Sequence, residues 1–390
     1  MSIFDLFRRK EPRAMLGPNT AATNQNLAPL AFGTSHAGIF VNDDKAMSVS
    51  AVYASVARIS RDIASLPLHL YDSEGDRRRK AIWREEYRLL NKKPNNYQSA
   101  YELRETLIAS VLLWGNGYAE IERNVMGAPI GLHYIQPHRV TPHLRSSDRR
   151  IEYQMDNGVT LAPGSVLHIR GLSDNGITGM SVVRQARESI GLTVAAERYG
   201  AAYFGNGATP GGVLETDKRI TDPAAVDRLR ETWQNRHQGA HRAGGVAVLE
   251  DGMKYKSIGI PPEDSQFLET RKFQIEDIAR WFGLPAAMIG ATTGQSQYKN
   301  LHEQILFYEK FTLRPWLESI ESALDTQLLA DALMGTLYFE HNLEGLLRAD
   351  KETRYRTYEI GIRGGWLSVN EIRRLENLDP IQGGDTYGTE

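Results

Sequence analysis

Apolar residues recur one helical turn apart in separate stretches of the chain. Val52, Val56, Ile59 and Ile63 keep that spacing until Pro67, which predicts a helix over 48–63. Leu103, Leu107, Val111 and Trp114 repeat it before Gly115, and Ser99 with Glu102 three residues on supplies a capping box that opens this second helix. Leu68-His69-Leu70-Tyr71 predicts a short strand, and 72–80, with Gly75 and the run Arg77-Arg78-Arg79-Lys80, an exposed turn. From 118 to 172, short alternating segments are divided by turn signals at Gly127, Pro137, Ser146-Ser147-Asp148 and Asp156-Asn157-Gly158, the pattern of a β-meander. The first half therefore reads as α+β. Residues 11–44, rich in Ala, Asn, Pro, Gly and Thr, carry no period and predict a mobile arm, so the folded part is expected to begin near Ala46.

Helical character returns over 181–204, where Gly191, Ala195, Ala196, Gly200, Ala201 and Ala202 provide small faces for close helix approach, until Gly205-Asn206-Gly207 ends it. A β-α-β module follows over 211–258. Its helix opens at Asp222-Pro223 and turns Val226, Leu229 and Trp233 inward, which leaves Arg228, Arg230, Arg236 and His237 outward. Another helix runs over 265–281 with Phe267, Ile275, Ile278 and Trp281 near one face, closed by Gly283 and Pro285. After a polar, glycine-containing loop over 291–298, a long helix starts at Asn300 and carries Leu301, Ile305, Phe307, Phe311, Leu317, Ile320 and Leu324. Pro315 is expected to kink or divide it. Two short helices, split by Gly364-Gly365 and with a second capping box at Ser368 and Glu371, occupy 344–378.

Composition narrows the function more than the fold. With 390 residues, 41% hydrophobic and 24% charged, the chain is ordinary globular material, long enough for two or three domains. Its 46 basic and 48 acidic side chains leave a net charge of -2, which argues against a protein that simply coats DNA. Cys is absent, so disulfides, thiolate nucleophiles, iron–sulfur clusters and cysteine zinc sites are excluded. No apolar run approaches the ~20 residues of a membrane-spanning helix. At the start, Ile3, Phe4, Leu6 and Phe7 precede Arg8-Arg9-Lys10, whereas a secretion signal puts its charges first; the segment reads as a frayed tail, or alternatively as a small amphipathic anchor.

Searches for chemistry return nothing that assigns a catalytic residue, cofactor or metal. The chain has no Gly-Lys step for a phosphate cradle, and Pro210 stands where Gly205-Asn206-Gly207 would need a third glycine to bind a dinucleotide. His133, His138 and His143 recur at a five-residue interval that alternates strand faces, so they read as scattered surface histidines. His302-Glu303 lacks its second zinc ligand because position 306 is Leu, and no Gly-x-Ser-x-Gly elbow occurs. The carboxylate pairs Glu85-Glu86 and Glu263-Asp264 read as solvated surface. The C-terminal pair supports one alternative, a DNA-binding regulator with Arg373 and Arg374 facing DNA, although Glu371, Glu376 and the long Gly-rich connection count against it.

The order of several segments resembles a known family. Leu89-Leu90-Asn91-Lys92-Lys93-Pro94-Asn95, Trp114-Gly115-Asn116-Gly117-Tyr118, Tyr203-Phe204-Gly205-Asn206-Gly207-Ala208 and Phe267-Leu268-Glu269-Thr270-Arg271 are similar to portal proteins of tailed double-stranded DNA bacteriophages and of gene transfer agents. So are Ile278-Ala279-Arg280-Trp281-Phe282-Gly283-Leu284-Pro285 and Asn370-Glu371-Ile372-Arg373 followed by Pro380 and Gly383-Gly384-Asp385. The resemblance implies an α+β portal subunit divided into a flexible arm (1–44), a wing (45–180), a stem helix (181–207), a clip (208–262), a second stem helix (263–284), a tunnel-loop region (285–299), a long helix returning to the wing (300–343), and a crown with the C-terminal tail (344–390). Where the family often has two adjacent prolines before its loop, Pro285 here is followed by Ala286.

The same resemblance implies a function and partners. Twelve copies form a ring at one capsid vertex of the virion, assembled in the host bacterial cytoplasm. The terminase large subunit drives double-stranded DNA through it without sequence specificity, the major capsid protein surrounds it, and neck or adaptor proteins attach to it. No membrane and no cofactor take part. Thr292, Thr293, Gly294, Gln295, Ser296, Gln297, Tyr298 and Lys299 become the DNA-facing tunnel loop; Arg228, Arg230, Arg236 and His237 the surface for terminase or neck; and Ala196 with Gly200 a stem contact to a neighbouring copy's 265–281 helix. A near-neutral chain suits a conduit, since many fixed cations would hold a duplex carrying one charge per ~1.7 Å.

Overall fold

The computed structural model describes residues 33–74, 77–205, 212–216, 224, 226–228, 231, 253–257, 264–290, 301–343, 351–376 and 378–387. Its core begins earlier than the sequence suggests. Ile39 and Val41 are buried, and Thr34 bridges Phe40, so the expected arm ends before residue 33 rather than at 44. Gly191 lets this segment approach α6: it has no Cβ, and one built there would overlap the buried Ser35 side chain, while Val41 would lie at ordinary contact distance, 3.7 Å. The remainder of that arm lies outside the described residues.

Helix α1 (Asp43–Met47) is capped by Asn42, whose side chain accepts from the Lys45 amide at 2.9 Å. Helix α2 (Ser50–Ser65) has no side-chain cap at Val49, yet it buries Val52, Val56, Ile59 and Ile63. A missing cap costs about 1 kcal/mol, whereas each buried Val or Ile contributes about 1.5–3 kcal/mol, so packing decides this helix. After β1 (Leu68–Glu74), the basic run expected to be a turn forms β2 (Arg77–Lys80), which pairs antiparallel with β1. The exposed Arg78, Arg79 and Lys80 make it a charged sheet edge, and Arg78 reaches Glu340 at 2.9 Å.

Helices α3 (Glu85–Asn91) and α4 (Ala100–Trp114) follow; the Ser99–Glu102 capping box is present, and Gly115 caps α4 at φ +83°. The expected meander is instead two sheets. Strand β3 (Asn116–Arg123) lies between β4 (Pro129–Ile135) and β8 (Val166–Arg170), while β5 (Val140–Leu144), β6 (Ile151–Met155) and β7 (Thr160–Leu161) pair separately. Burial explains the return of β8: Tyr118, Ala119 and Ile121 are all buried, so β3 is an interior strand and needs a partner on each side.

The expected helix over 181–204 is divided at Ala186 into α5 (Val182–Gln185) and α6 (Arg187–Gly205). Strands β9 (Gly212–Glu215) and β10 (Lys254–Ser257) form an antiparallel ribbon with Leu214 opposite Tyr255. Helix α7 (Asp264–Trp281) then buries Ile278 and packs on α2. Helix α8 (Leu301–Phe307) passes through a π-helical segment (Tyr308–Leu313) into α9 (Arg314–Gln327), which buries Leu317, Ile320 and Leu324. Pro315 does not divide the helix. The widened turns just before it accommodate its missing N–H and its ring.

Strand β11 (Leu337–His341) completes the sheet β11-β1-β2. It is fastened to α9 by two carboxylates: Asp325 accepts from the Phe339 amide at 2.8 Å, and Glu321 from the amide and ring Nδ1 of His341 at 2.7 Å each. At the C-terminus, α10 (Lys351–Arg363) and α11 (Val369–Leu375) are joined by Arg354 and Tyr358, both bonded to Glu376. The second capping box, Ser368 with Glu371, opens α11. Among the described residues, no helix is long and apolar enough to cross a membrane, and no three metal-ligating side chains assemble.

Candidate functional site

Helices α6 and α7 lie against each other within one chain. Arg271 meets Glu197 at 3.3 Å and Trp281 Nε1 donates to Ser189 Oγ at 3.1 Å. The 265–281 helix therefore meets α6 first within its own chain. Gly200 is buried inside the subunit and Ala196 is half-buried. What the pair leaves open is larger and aromatic: Tyr199 and Phe273 are each more than half exposed.

Gly283, Leu284 and Pro285 lead from α7 into a 3-10 turn (Ala286–Ile289) that ends at Gly290. Helix α8 takes up the chain again at Leu301. The base of this excursion is tied shut, because the Thr312 hydroxyl donates to the Gly283 carbonyl. Tyr308 adds a second anchor by donating to Asp62 on α2 at 2.9 Å, and burial first, then the Asp62 charge, raises its phenol above the ordinary range. Beside the anchor, Phe307 and Phe311 meet in a tilted contact with centroids 4.8 Å apart while remaining 51% and 59% exposed. Thr292, Thr293, Gly294, Gln295, Ser296, Gln297, Tyr298 and Lys299, expected to form the tunnel loop, fall in sequence between these anchors and outside the described residues.

In the β9–β10 module, Arg228 is helical and exposed, as expected, but Val226 is also exposed rather than inward. Arg230, Arg236 and His237 lie outside the described residues, as do Leu229 and Trp233. The C-terminal pair is built around buried Asn370, whose amide donates to the Ile381 carbonyl and whose carbonyl accepts from the Ile381 amide. Arg373 spends its Nε on the Asp379 carbonyl, so one of the two arginines expected to face DNA holds its own chain instead.

Sequence reasoning missed a polar cluster at the joint between α4 and β3. Asn116 Oδ1 accepts from the Gly179 amide at 2.8 Å, its amide donates to the Gly179 carbonyl at 3.2 Å, and the same Oδ1 meets His168 Nε2 at 2.9 Å. The orientation of Asn116 therefore fixes the neutral imidazole with its proton on Nε2, leaving Nδ1 to accept from Tyr153 at 3.3 Å. Burial, with the Arg170 charge second, pushes His168 down to about 3, and burial pushes Tyr153 up to about 12. Gln327 of α9 holds the same strand: its Oε1 accepts from the His168 amide at 2.7 Å and its Nε2 donates to the His168 carbonyl at 3.1 Å. The Trp114-Gly115-Asn116-Gly117-Tyr118 motif was the one available signal for this latch.

The described residues thus form an α+β body with the α6–α7 helical pair and the β9–β10 ribbon. A family model described as phage portal protein matches residues 50–377, and the chain belongs to that family. It is 34% identical to the probable portal protein of Streptomyces phage phiC31 over 89% of this chain and 78% of that protein, and 29% identical to the portal protein of Enterobacteria phage HK97 over 88% and 82%. A solved chain from the neck of an empty gene transfer agent particle, computed with C6 symmetry, superposes with a TM-score of 0.60 at 27% identity over 85% of this chain and 90% of that one. None of these relatives supports the alternative of a DNA-binding regulator.

Proposed function

We propose that this portal protein acts as a structural ring, with no catalytic residue and no cofactor, at one capsid vertex. Twelve copies enclose the channel through which the terminase large subunit packages double-stranded DNA and through which DNA leaves. The 45–180 wing faces the major capsid protein, the 208–262 clip receives terminase and later the neck or adaptor proteins, and 344–390 forms the crown. Assembly takes place in the host bacterial cytoplasm and the product is part of the virion. The observation that carries this reading is the match to a particle-neck chain over most of both lengths. A heterologous contact between copies closes a ring, and the exposed Tyr199, Phe273, Phe307 and Phe311 supply apolar surface for a neighbour to cover.

Electron microscopy of the purified protein should show rings with a central hole, and a uniformly monomeric protein would overturn the reading. Within the ring, Thr292 to Lys299 project into the channel and touch phosphates weakly, while Arg228, Arg230, Arg236 and His237 meet the motor. Deleting Thr293 to Ser296, or replacing Lys299 with Glu, should leave rings intact but lower packaging or retention of DNA. Wild-type packaging by both variants would reduce the loop to a connector.

A further inference from the structure

A cleft of about 600 Å³ opens where the small β5-β6-β7 sheet, β8 and the end of α9 meet. Its volume is that of a typical ligand pocket. Arg123, Arg150 and Arg170 line it, and Asp331 is the carboxylate among its lining residues. No carboxylate among the described residues forms an ion pair with any of the three arginines. Arg123 donates only to the carbonyls of Gly127, Gly164 and Gln327, and Arg170 only to the carbonyl of Gly176. Arg150 is exposed with no side-chain hydrogen bond; Asp148, near enough to feel its charge, is held by Arg145. Burial, opposed by the nearby Glu86 charge, lowers the Arg123 guanidinium from its ordinary range. The remaining lining is mixed: Thr326, Gln327 and His168 are polar, and the partly exposed Ile151 is apolar, over the buried Tyr153, Val166 and Leu329.

We propose that this cleft binds an acidic peptide segment of a protein partner, its carboxylates on Arg150 and Arg170 and an adjoining apolar side chain against Ile151. Guanidinium forks match carboxylates in two-bond geometry. The apolar Ile151 favours a peptide over nucleic acid, since a sugar-phosphate strand offers no aliphatic side chain to it and a rigid duplex does not follow a concave surface. The site is separate from the loop and the β9–β10 module, so its test does not depend on the channel assignment.

The test is fluorescence anisotropy of a labelled, blocked oligoglutamate peptide carrying one phenylalanine, titrated with the full chain. Saturable binding is expected, weakened roughly tenfold or more in the Arg150→Ala/Arg170→Ala double variant, as loss of charge-assisted bonds requires. Arg314→Ala, an exposed arginine outside the cleft, should bind as wild type. Arg150→Glu alone, at a side chain with no hydrogen bond to lose, repeats the test if the double variant melts early. Three results would each overturn the proposal: no saturable binding, equal affinity in the Arg150 variants, or tighter binding of a short single-stranded oligonucleotide through the same arginines.

Discussion

Gly115→Ala should destabilise the protein by on the order of 3–5 kcal/mol. Two costs combine. Gly115 caps α4 at φ +83°, a conformation that costs an L-residue about 1–2 kcal/mol. A Cβ there would also lie 2.6 Å from the carbonyl carbons of Gly179 and Met180, and backbone cannot swing aside as a side chain can. Gly127 separates the two terms, for it has φ +81° with nothing within 4 Å of its Cβ position. Gly127→Ala should therefore cost only about 1 kcal/mol. Urea titration of the two variants checks this, and equal midpoints would show that the approach of Gly179 is not what restricts position 115.

The second large effect is acid sensitivity centred on His168. Its folded value lies near 3 against 6.5 for the free imidazole, so below 6.5 the unfolded chain binds the proton that the folded chain refuses. Stability is complete above pH 6.5 and declines as pH falls toward 3. Between pH 7 and pH 5 the loss is about 2 kcal/mol. Asp325 works in the opposite direction. Burial pushes it up to about 6 from 3.8, so its folded form keeps a proton that the unfolded form releases, and stability rises as pH falls through that window. Because Asp325 is only half-buried, its contribution shrinks to roughly 0.5 kcal/mol, and His168 prevails. His168→Gln should flatten the fall between pH 7 and pH 5 while lowering stability at pH 7. If the variant keeps the wild-type pH slope, the acid response originates elsewhere.

The two predictions differ in how far the sequence alone leads to them. Gly115 was visible as a helix stop after Trp114, but the second half of its cost comes from Gly179. His168 carries no local mark at all. It becomes important because Asn116, 52 residues away, and Tyr153 close around it in the core. Likewise Arg123, Arg150 and Arg170 look like three unrelated charges until the β5-β6-β7 sheet and α9 bring them to one cleft.

Whatever is decided within one or two turns of chain was determined by the sequence. The capping boxes at Ser99 and Ser368, the apolar stripes of α2, α4 and α9, and the stop at Gly283 all depend on neighbours three or four residues apart. The family could also be recognised from the linear order of its motifs. Tertiary structure decided the rest. It drew the 35–41 segment into the core, with Ser35 seated against Gly191, and made Arg77–Lys80 an edge strand because β1 had an open side. It also returned β8 to β3 because that strand is buried, and paired α6 with α7 of its own chain. Each of these outcomes depends on surfaces brought together from far along the chain, where no local spacing records which segment will arrive.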